Sequence, residues 1–196
     1  MIYLDKDDFL QSGSERDCYI HPIENNKVVK IIRETKKDGG QNDIEYKYYK
    51  YLEKYNASLV HIPQCYGFIN TNLGKGLVFD KIVNFDNTQS QQFKYYIKDK
   101  LLTNSQENEL LEELKQYLEK NKILFVDASL RNVLCQKISE DNYKLMIIDG
   151  LGGRRPGLKS TLYIQRVLLP YHIYKIKKQW KMLLFQIYKV KKGIKK

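Results

Sequence analysis

The sequence is short of the residues that make covalent or metal cross-links. Three cysteines, Cys18, Cys65 and Cys135, are spread over 196 residues. An odd, widely spaced set argues against a disulfide framework and for a reducing compartment. Of three histidines, His21, His61 and His172, none stands at ligand spacing to another histidine or a cysteine, which argues against a zinc site. No apolar run approaches the ~18–20 residues that a membrane-spanning helix needs. The opening MIYLDKDDFL is acidic, without the basic and apolar regions of a secretory signal, so none is expected. Acidic residues are missing from one whole stretch: residues 154–196 hold 13 basic residues and no aspartate or glutamate. Internal repeats are absent, and so is low-complexity sequence outside that tail.

What is present suits a folded chain. Hydrophobic residues make up 42% and charged residues 29%, enough for a packed core and against wholesale disorder. The length fits one domain, or two small lobes sharing a core. The net charge of +11 resides in the tail, since the first 153 residues hold 21 basic residues against all 23 acidic ones. A near-neutral body with a strongly basic tail points to an anionic partner: a membrane surface, a phosphorylated glycan or nucleic acid. The abundance of Lys, Asn, Ile and Tyr fits an AT-rich genome, but that bias does not remove acidic residues from 43 consecutive positions.

Short β-rich runs dominate the first third. Residues 18–20 and 28–32 flank the turn signal Glu24-Asn25-Asn26 and read as a hairpin. Residues 36–40, Lys-Lys-Asp-Gly-Gly, read as a loop. From 42 to about 55, Ile44, Tyr48, Tyr51 and Leu52 recur at helical spacing. Strands are expected around 66–69, after Pro63, and over 77–83, with a turn at 72–76, so residues 1–84 read β-β-α-β-β. After a polar stretch at 84–92 come a helix at about 91–102 and a stronger one at 106–120. The latter has Leu110, Leu111, Leu114, Tyr117 and Leu118 on one face, Ser105 as its expected N-cap and Asn121 at its end. A strand is expected at 123–126, a polar loop at 127–132 and a hairpin of strands 133–137 and 143–148. Gly152-Gly153-Arg154-Arg155-Pro156-Gly157 breaks regular structure. The tail from about Leu162 reads as a helix interrupted at Pro170. Its apolar stripe comprises Ile173, Ile176, Trp180, Leu183, Leu184 and Ile187, flanked by Lys175, Lys178, Lys181 and Lys189.

Chemistry concentrates in Asp127-Ala128-Ser129-Leu130-Arg131-Asn132 and in Asp149-Gly150, at the far end of the hairpin that follows. A hairpin carries the chain out and back, so it can return Asp149 close to Asn132. An amide oxygen beside a carboxylate is a hard oxygen pair suited to Mg2+ that also holds phosphate oxygens. Asp127 could orient or deprotonate an attacking hydroxyl. A D-x-x-x-x-N loop followed by a metal Asp and Gly is the order of the protein-kinase-like fold, which the chain resembles. That fold also needs a strand lysine for nucleotide phosphates and a helical glutamate to hold it. Lys30 lies within the strand Val28-Val29-Lys30-Ile31-Ile32, and Glu45 follows 15 residues later on the expected helix, with Asp43 and Glu53 as alternatives. The segment Ser12-Gly13-Ser14-Glu15-Arg16-Asp17 stands where a phosphate-covering loop belongs.

The resemblance narrows to the YrbL family, PhoP regulatory network proteins with a protein-kinase-like fold. It is carried by Gly13 with Cys18-Tyr19-Ile20-His21-Pro22, Lys30 in VVKI, Gly39-Gly40 and Glu45 in EYKYYKYL. It continues through Ile62-Pro63, Tyr66-Gly67, Gly76-Leu77-Val78-Phe79-Asp80, LKQYLEKNKI, Asn132-Val133-Leu134-Cys135 and Asp149-Gly150, covering roughly residues 8 to 155. A more distant likeness is to bacterial kinases that phosphorylate lipopolysaccharide-core sugars. The resemblance implies an α+β fold with a small β-rich N-lobe over residues 1–84 and a reduced helical C-lobe core over 85–158 carrying catalytic and metal loops. A basic amphipathic C-terminal helix over 159–196 completes it.

The implied activity is ATP- and Mg2+-dependent phosphotransfer. Lys30 would hold the nucleotide phosphates with Glu45 paired to it, and Asp127 would be the catalytic aspartate. Asn132 and Asp149 would hold the metal, Gly13 and Ser14 would cover the phosphates, and Asp80, Lys81 and Ile82 would form the hinge beside adenine. Several features depart from the protein-kinase pattern. The phosphate loop has one glycine, Phe125-Val126 precede Asp127, and Leu151 follows Gly150. Only 47 residues follow Asp149, too few for a peptide-binding platform. A small molecule or envelope glycan is therefore the expected acceptor. A kinase-like regulatory or binding module without turnover is the alternative. The tail either docks on its own domain or meets an anionic membrane surface from the cytoplasmic side. No base-reading motif accompanies it, which ranks nucleic acid last, and a monomer is the default.

Overall fold

A computed structural model describes residues 1–33, 40–153 and 169–194. Gly39, the 36–39 part of the expected loop, Arg154-Arg155-Pro156-Gly157 and the tail between 158 and 168 lie outside the described residues. The fold is mixed α and β. Five antiparallel strands, β1 (Phe9–Ser12), β2 (Arg16–Ile20), β3 (Lys27–Ile32), β4 (Cys65–Thr71) and β5 (Gly74–Asp80), form one sheet in the order β1-β2-β3-β5-β4. Helix α1 (Gln41–Lys54) packs on one face of that sheet. A second, three-stranded sheet joins β6 (Gln91–Gln92), β7 (Val133–Lys137) and β8 (Tyr143–Ile147). It is accompanied by α2 (Phe93–Lys98), α3 (Asn104–Asn121) and α4 (Leu169–Lys191).

The five-stranded sheet has two apolar faces because its strands alternate. Val29, Ile31 and Val78 point to one side, where Leu4 and Ile2 cover them. Val28, Leu77 and Phe79 point to the other, onto Tyr48, Tyr49 and Leu52 of α1. That second core continues into Leu114 of α3, Val133 and Leu145 of the small sheet, and Leu183 of α4. His61 ties the connection after α1 to the small sheet, its Nδ1 2.7 Å from the Leu145 carbonyl oxygen.

Four local expectations are corrected. β1 was not expected, because a bulge between Phe9 and Gln11 breaks the alternation that would mark it. The strongest helix starts two residues earlier than a Ser105 cap implies. Thr103 is the N-cap, accepting from the Gln106 N–H at 3.2 Å while the Gln106 side chain accepts from the Thr103 N–H at 2.9 Å. Residues 91–102 hold a two-residue strand and a six-residue helix in place of one long helix. Residues 123–126 form no strand. Ile123, Leu124 and Phe125 are buried in the core, with one isolated bridge from Phe125 to Leu151. Gly150 and Gly152, at φ 82° and 79°, bend the partner segment away on both sides of that bridge. Helix α4 is described from Leu169 onward, so the expected interruption at Pro170 of a helix beginning near 162 involves residues outside those described.

Helix α4 docks on the body of the protein. Ile176, Leu183 and Ile187 are buried in the main core, an environment that stabilises by roughly 1.5–3 kcal/mol per aliphatic side chain. Polar contacts set its register: His172 Nε2 lies 2.8 Å from the Lys122 carbonyl oxygen, and Lys191 Nζ lies 2.6 Å from Glu107 of α3. The expected apolar stripe is thereby narrowed, since Ile173 and Leu184 face outward.

Candidate functional site

Strand alternation brings the charged residues of the large sheet to one place. Cys18 pairs directly with Lys30 across β2 and β3, and Arg16 lies two residues before Cys18, on the same face. All three line a cleft of about 620 Å³, whose opposite wall holds Asp127, Asn132 and Asp149. Gly13 and Ser14 sit at its rim on the β1–β2 turn, and Asp80, Lys81 and Ile82 at its inner edge where β5 ends. The residues expected at a nucleotide site therefore share one cleft, with Glu45 behind it.

Lys30 is 8% exposed and Glu45 1%. Lys30 Nζ lies 3.4 and 3.3 Å from the two Glu45 carboxylate oxygens and donates to the Ile148 carbonyl oxygen at 2.8 Å. Of the three acidic candidates on α1, Asp43 and Glu53 are exposed, and Glu53 pairs with Lys50. Glu45 alone points at the sheet. Asn42, one turn earlier, braces the pair from the same helix face by donating to the Lys30 carbonyl oxygen at 2.8 Å.

Arg16 was not among the expected site residues, and it joins Glu45 and Asn42 of α1 to Asp149. It is 6% exposed. One guanidinium nitrogen lies 2.5 Å from Glu45 Oε2 and 3.0 Å from Asn42 Oδ1, and the other lies 2.5 Å from Asp149 Oδ1. Two carboxylates thus face two buried cations. The sequence by itself does not single it out: that Cys18 pairs with Lys30, and hence that Arg16 two positions earlier shares the face of Lys30, appears only in the sheet pairing.

The loop after Phe125 and the residues around Asp149 are joined backbone to backbone. Asp127 N–H donates to the Gly150 carbonyl oxygen at 3.0 Å, and Ile148 N–H to the Asn132 carbonyl oxygen at 2.9 Å. Asn132 Nδ2 donates to the Asp127 carbonyl and carboxylate at 3.0 and 3.1 Å. That use of the nitrogen leaves the amide oxygen as the group available to a cation. Gly150 has to be glycine: at its positive φ, a Cβ would lie 2.8 Å from Asp127 Cβ and 3.0 Å from Asn132 Nδ2.

Burial would push the Asp149 carboxyl up, but Lys30, the Arg16 guanidinium and the Gly150 N–H overcome it and hold the group at about 2. For Arg16, burial works against the charge, while Glu45 and Asp149 raise its pKa above the ordinary range. Burial pushes the Cys18 thiol up to about 11 despite both cations, so it is not a reactive thiolate. The Asp80 side chain is taken up by neighbours, accepting from Tyr66 OH at 2.8 Å and the Gln64 N–H at 3.0 Å. Lys81 N–H is given to the Asn26 carbonyl oxygen at 2.8 Å, and Gly13 N–H to that of Arg16 at 2.7 Å.

A second unforeseen residue, Gln186 of α4, reaches the loop from behind. Its Nε2 donates to the Ala128 carbonyl oxygen at 2.5 Å and its Oε1 accepts from the Leu130 N–H at 3.2 Å. The C-terminal helix is therefore part of what shapes residues 127–132. Nothing in the local sequence marks Gln186, because the contact joins positions 58 residues apart.

A sequence model of the family described as PhoP regulatory network protein YrbL matches residues 2–187. The Escherichia coli (strain K12) protein described as "Uncharacterized protein YrbL" is 32% identical over 156 residues, 78% of this chain and 74% of that protein. A Shigella flexneri protein of the same description matches to the same extent.

Proposed function

The chain belongs to the YrbL family of PhoP regulatory network proteins, and from that premise we propose that it is an ATP- and Mg2+-dependent phosphotransferase of protein-kinase-like fold. Its acceptor is a small molecule or a cell-envelope glycan. The observation that carries the reading is the convergence in one cleft of the Lys30–Glu45 pair, the Asp127–Asn132 loop and Asp149. Residues as far as 133 positions apart meet there, which ordinary turn chemistry of Asp and Asn does not require.

On this reading Lys30 Nζ, held by Glu45, meets phosphate oxygens, and the Ser14 turn covers them. Adenine lies against the end of β5 at Ile82. Asp127 orients the acceptor hydroxyl and takes its proton as the phosphoryl group leaves. The donor set fits Mg2+: an amide oxygen from Asn132 and a carboxylate from Asp149 are hard ligands, and a nucleotide and water complete such a shell. The metal would supply charge neutralisation for the phosphate oxygens. Cation loading competes with Arg16 for Asp149, and that competition favours a second reading: a kinase-like regulatory module that binds without turnover.

Calorimetry of ATP with and without Mg2+ tests the proposal. Wild-type protein is expected to bind in a Mg2+-dependent manner, and Asp149→Asn to weaken that binding by about tenfold or more, ~1.4 kcal/mol per factor of ten. Asp127→Asn should keep binding within roughly threefold and lose hydrolysis or transfer. No ATP binding by folded wild type would sink the proposal. Binding with turnover unchanged in Asp127→Asn would remove the role given to Asp127, and binding with no turnover in wild type would leave the regulatory reading.

A further inference from the structure

Helix α4 has a second face that the described residues leave exposed. With Ile176, Leu183 and Ile187 buried in the core, the opposite side carries Tyr174, Lys178, Lys181, Phe185 and Tyr188, all exposed. They recur at helical spacing along one stripe. Ile173 and Leu184 are exposed beside it, as is Lys177. No Asp or Glu occurs anywhere in the last 43 residues to neutralise these ammonium groups. Solvent-facing Tyr, Phe, Ile and Leu gain nothing from such positions in water, and their alternation with lysine is the composition of a surface that meets apolar matter and negative charge together.

We propose that this outward face of α4 binds the surface of an anionic lipid bilayer. Lysine can lay its methylene stem along acyl matter while its ammonium stays among lipid phosphates, and tyrosine and phenylalanine settle at the same depth. The cytoplasmic leaflet's negative potential attracts each such lysine. Charge complementarity and the exposed apolar side chains both fit this occupant. A nucleic-acid surface would favour arginine, which stacks on bases and forks onto phosphates, and residues 169–194 contain none. No helix among the described residues is long and apolar enough to cross a membrane, so α4 lies on the surface. The docked inner face gives the contact a consequence. Gln186 on α4 holds the Ala128 and Leu130 backbone, so a bilayer-bound helix and the loop of Asp127 and Asn132 are one body.

The proposal is independent of nucleotide binding, and its test needs none. The full chain is sedimented with vesicles of phosphatidylcholine alone or mixed with phosphatidylglycerol. The emission of Trp180, the one tryptophan of the chain, which packs against the core from α4, is followed in parallel to show that the helix stays docked. Expected are partition onto phosphatidylglycerol vesicles, little onto phosphatidylcholine, and at least about tenfold weaker partition in high salt, with the Trp180 emission unchanged. Lys178→Glu with Lys181→Glu should abolish partition, and Phe185→Ser with Tyr188→Ser should weaken it several-fold. Both pairs are exposed, so both variants should melt like wild type. Equal partition onto the two vesicle types, or either variant partitioning as wild type does, overturns the proposal. Tighter binding to single-stranded RNA than to the vesicles, lost in the same variants, also overturns it and gives the face to nucleic acid.

Discussion

Arg16 shares its guanidinium between Glu45 and Asp149, and the Asp149 carboxyl is held at about 2 by Lys30, Arg16 and the Gly150 N–H against the opposing effect of burial. An unfolded aspartate titrates near ~3.9. A depressed native pKa stabilises the fold fully above the unfolded value, and that contribution is lost as pH falls from about 4 to about 2. Asp17 is also depressed, so the acid limb of the wild type is composite, and a difference measurement isolates Asp149. In chelator-containing buffer, urea melts of Arg16→Gln should show lower stability than wild type at pH 7, because Glu45 and Asp149 lose a buried cation. The gap should narrow between pH 4 and pH 2 as Asp149 protonates in both. A gap independent of pH over that window would mean that Arg16 acts through packing alone. Lys30, Asp127, Asn132 and Asp149 could be picked out beforehand from their local pattern, whereas Glu45 had Asp43 and Glu53 as alternatives until the packing of α1 turned it toward the sheet. Arg16 could not be picked out, since it begins a strand amid other polar residues and only sheet pairing shows which way it points.

At the scale of elements, the surface helix and the docked helix differ in what polar side chains do for them. Thr103 caps α3 in solvent through a reciprocal pair with Gln106. Thr103→Ala should lower stability by about 1 kcal/mol and leave the cleft alone. Gln186 lies mid-helix in α4 and satisfies two backbone groups of another segment. Gln186→Leu keeps the bulk but leaves the Ala128 carbonyl and Leu130 N–H without that partner, at about 1–3 kcal/mol. Amide exchange should then speed up at residues 128–132 more than elsewhere. The same rate increase spread over the whole chain would make Gln186 a general stability residue. The helical period of α3, α1 and the last helix was readable from apolar spacing. The N-cap of α3 was displaced because Thr103 and Ser105 are both competent caps and only the pairing with Gln106 chooses between them. The missing strand at 123–126 has a similar cause: an apolar run of that length reads alike whether it joins a ladder or crosses a core.

For the whole molecule, the decisive fact is that the basic tail contributes to the core. Ile176, Leu183 and Ile187 are buried among residues of both sheets' cores, and α4 closes over the loop that carries Asp127. A chain ended after Gly153 should therefore aggregate or melt far below the full chain, measured by calorimetry and light scattering. A truncated chain with wild-type melting would show that α4 is an appendage. Its charge asymmetry, the absence of acidic residues from 43 positions and the want of any membrane-length apolar run are properties of composition, and they hold whatever the fold. Family membership and the order of Lys30, Glu45, Asp127, Asn132 and Asp149 are likewise linear facts, carried by residue type and spacing. Which side of α4 faces in, that Arg16 spans Glu45 and Asp149, and that Gln186 braces the loop depend on contacts 29 to 133 residues apart. Such contacts form only after several elements have packed, and no local propensity or period encodes them.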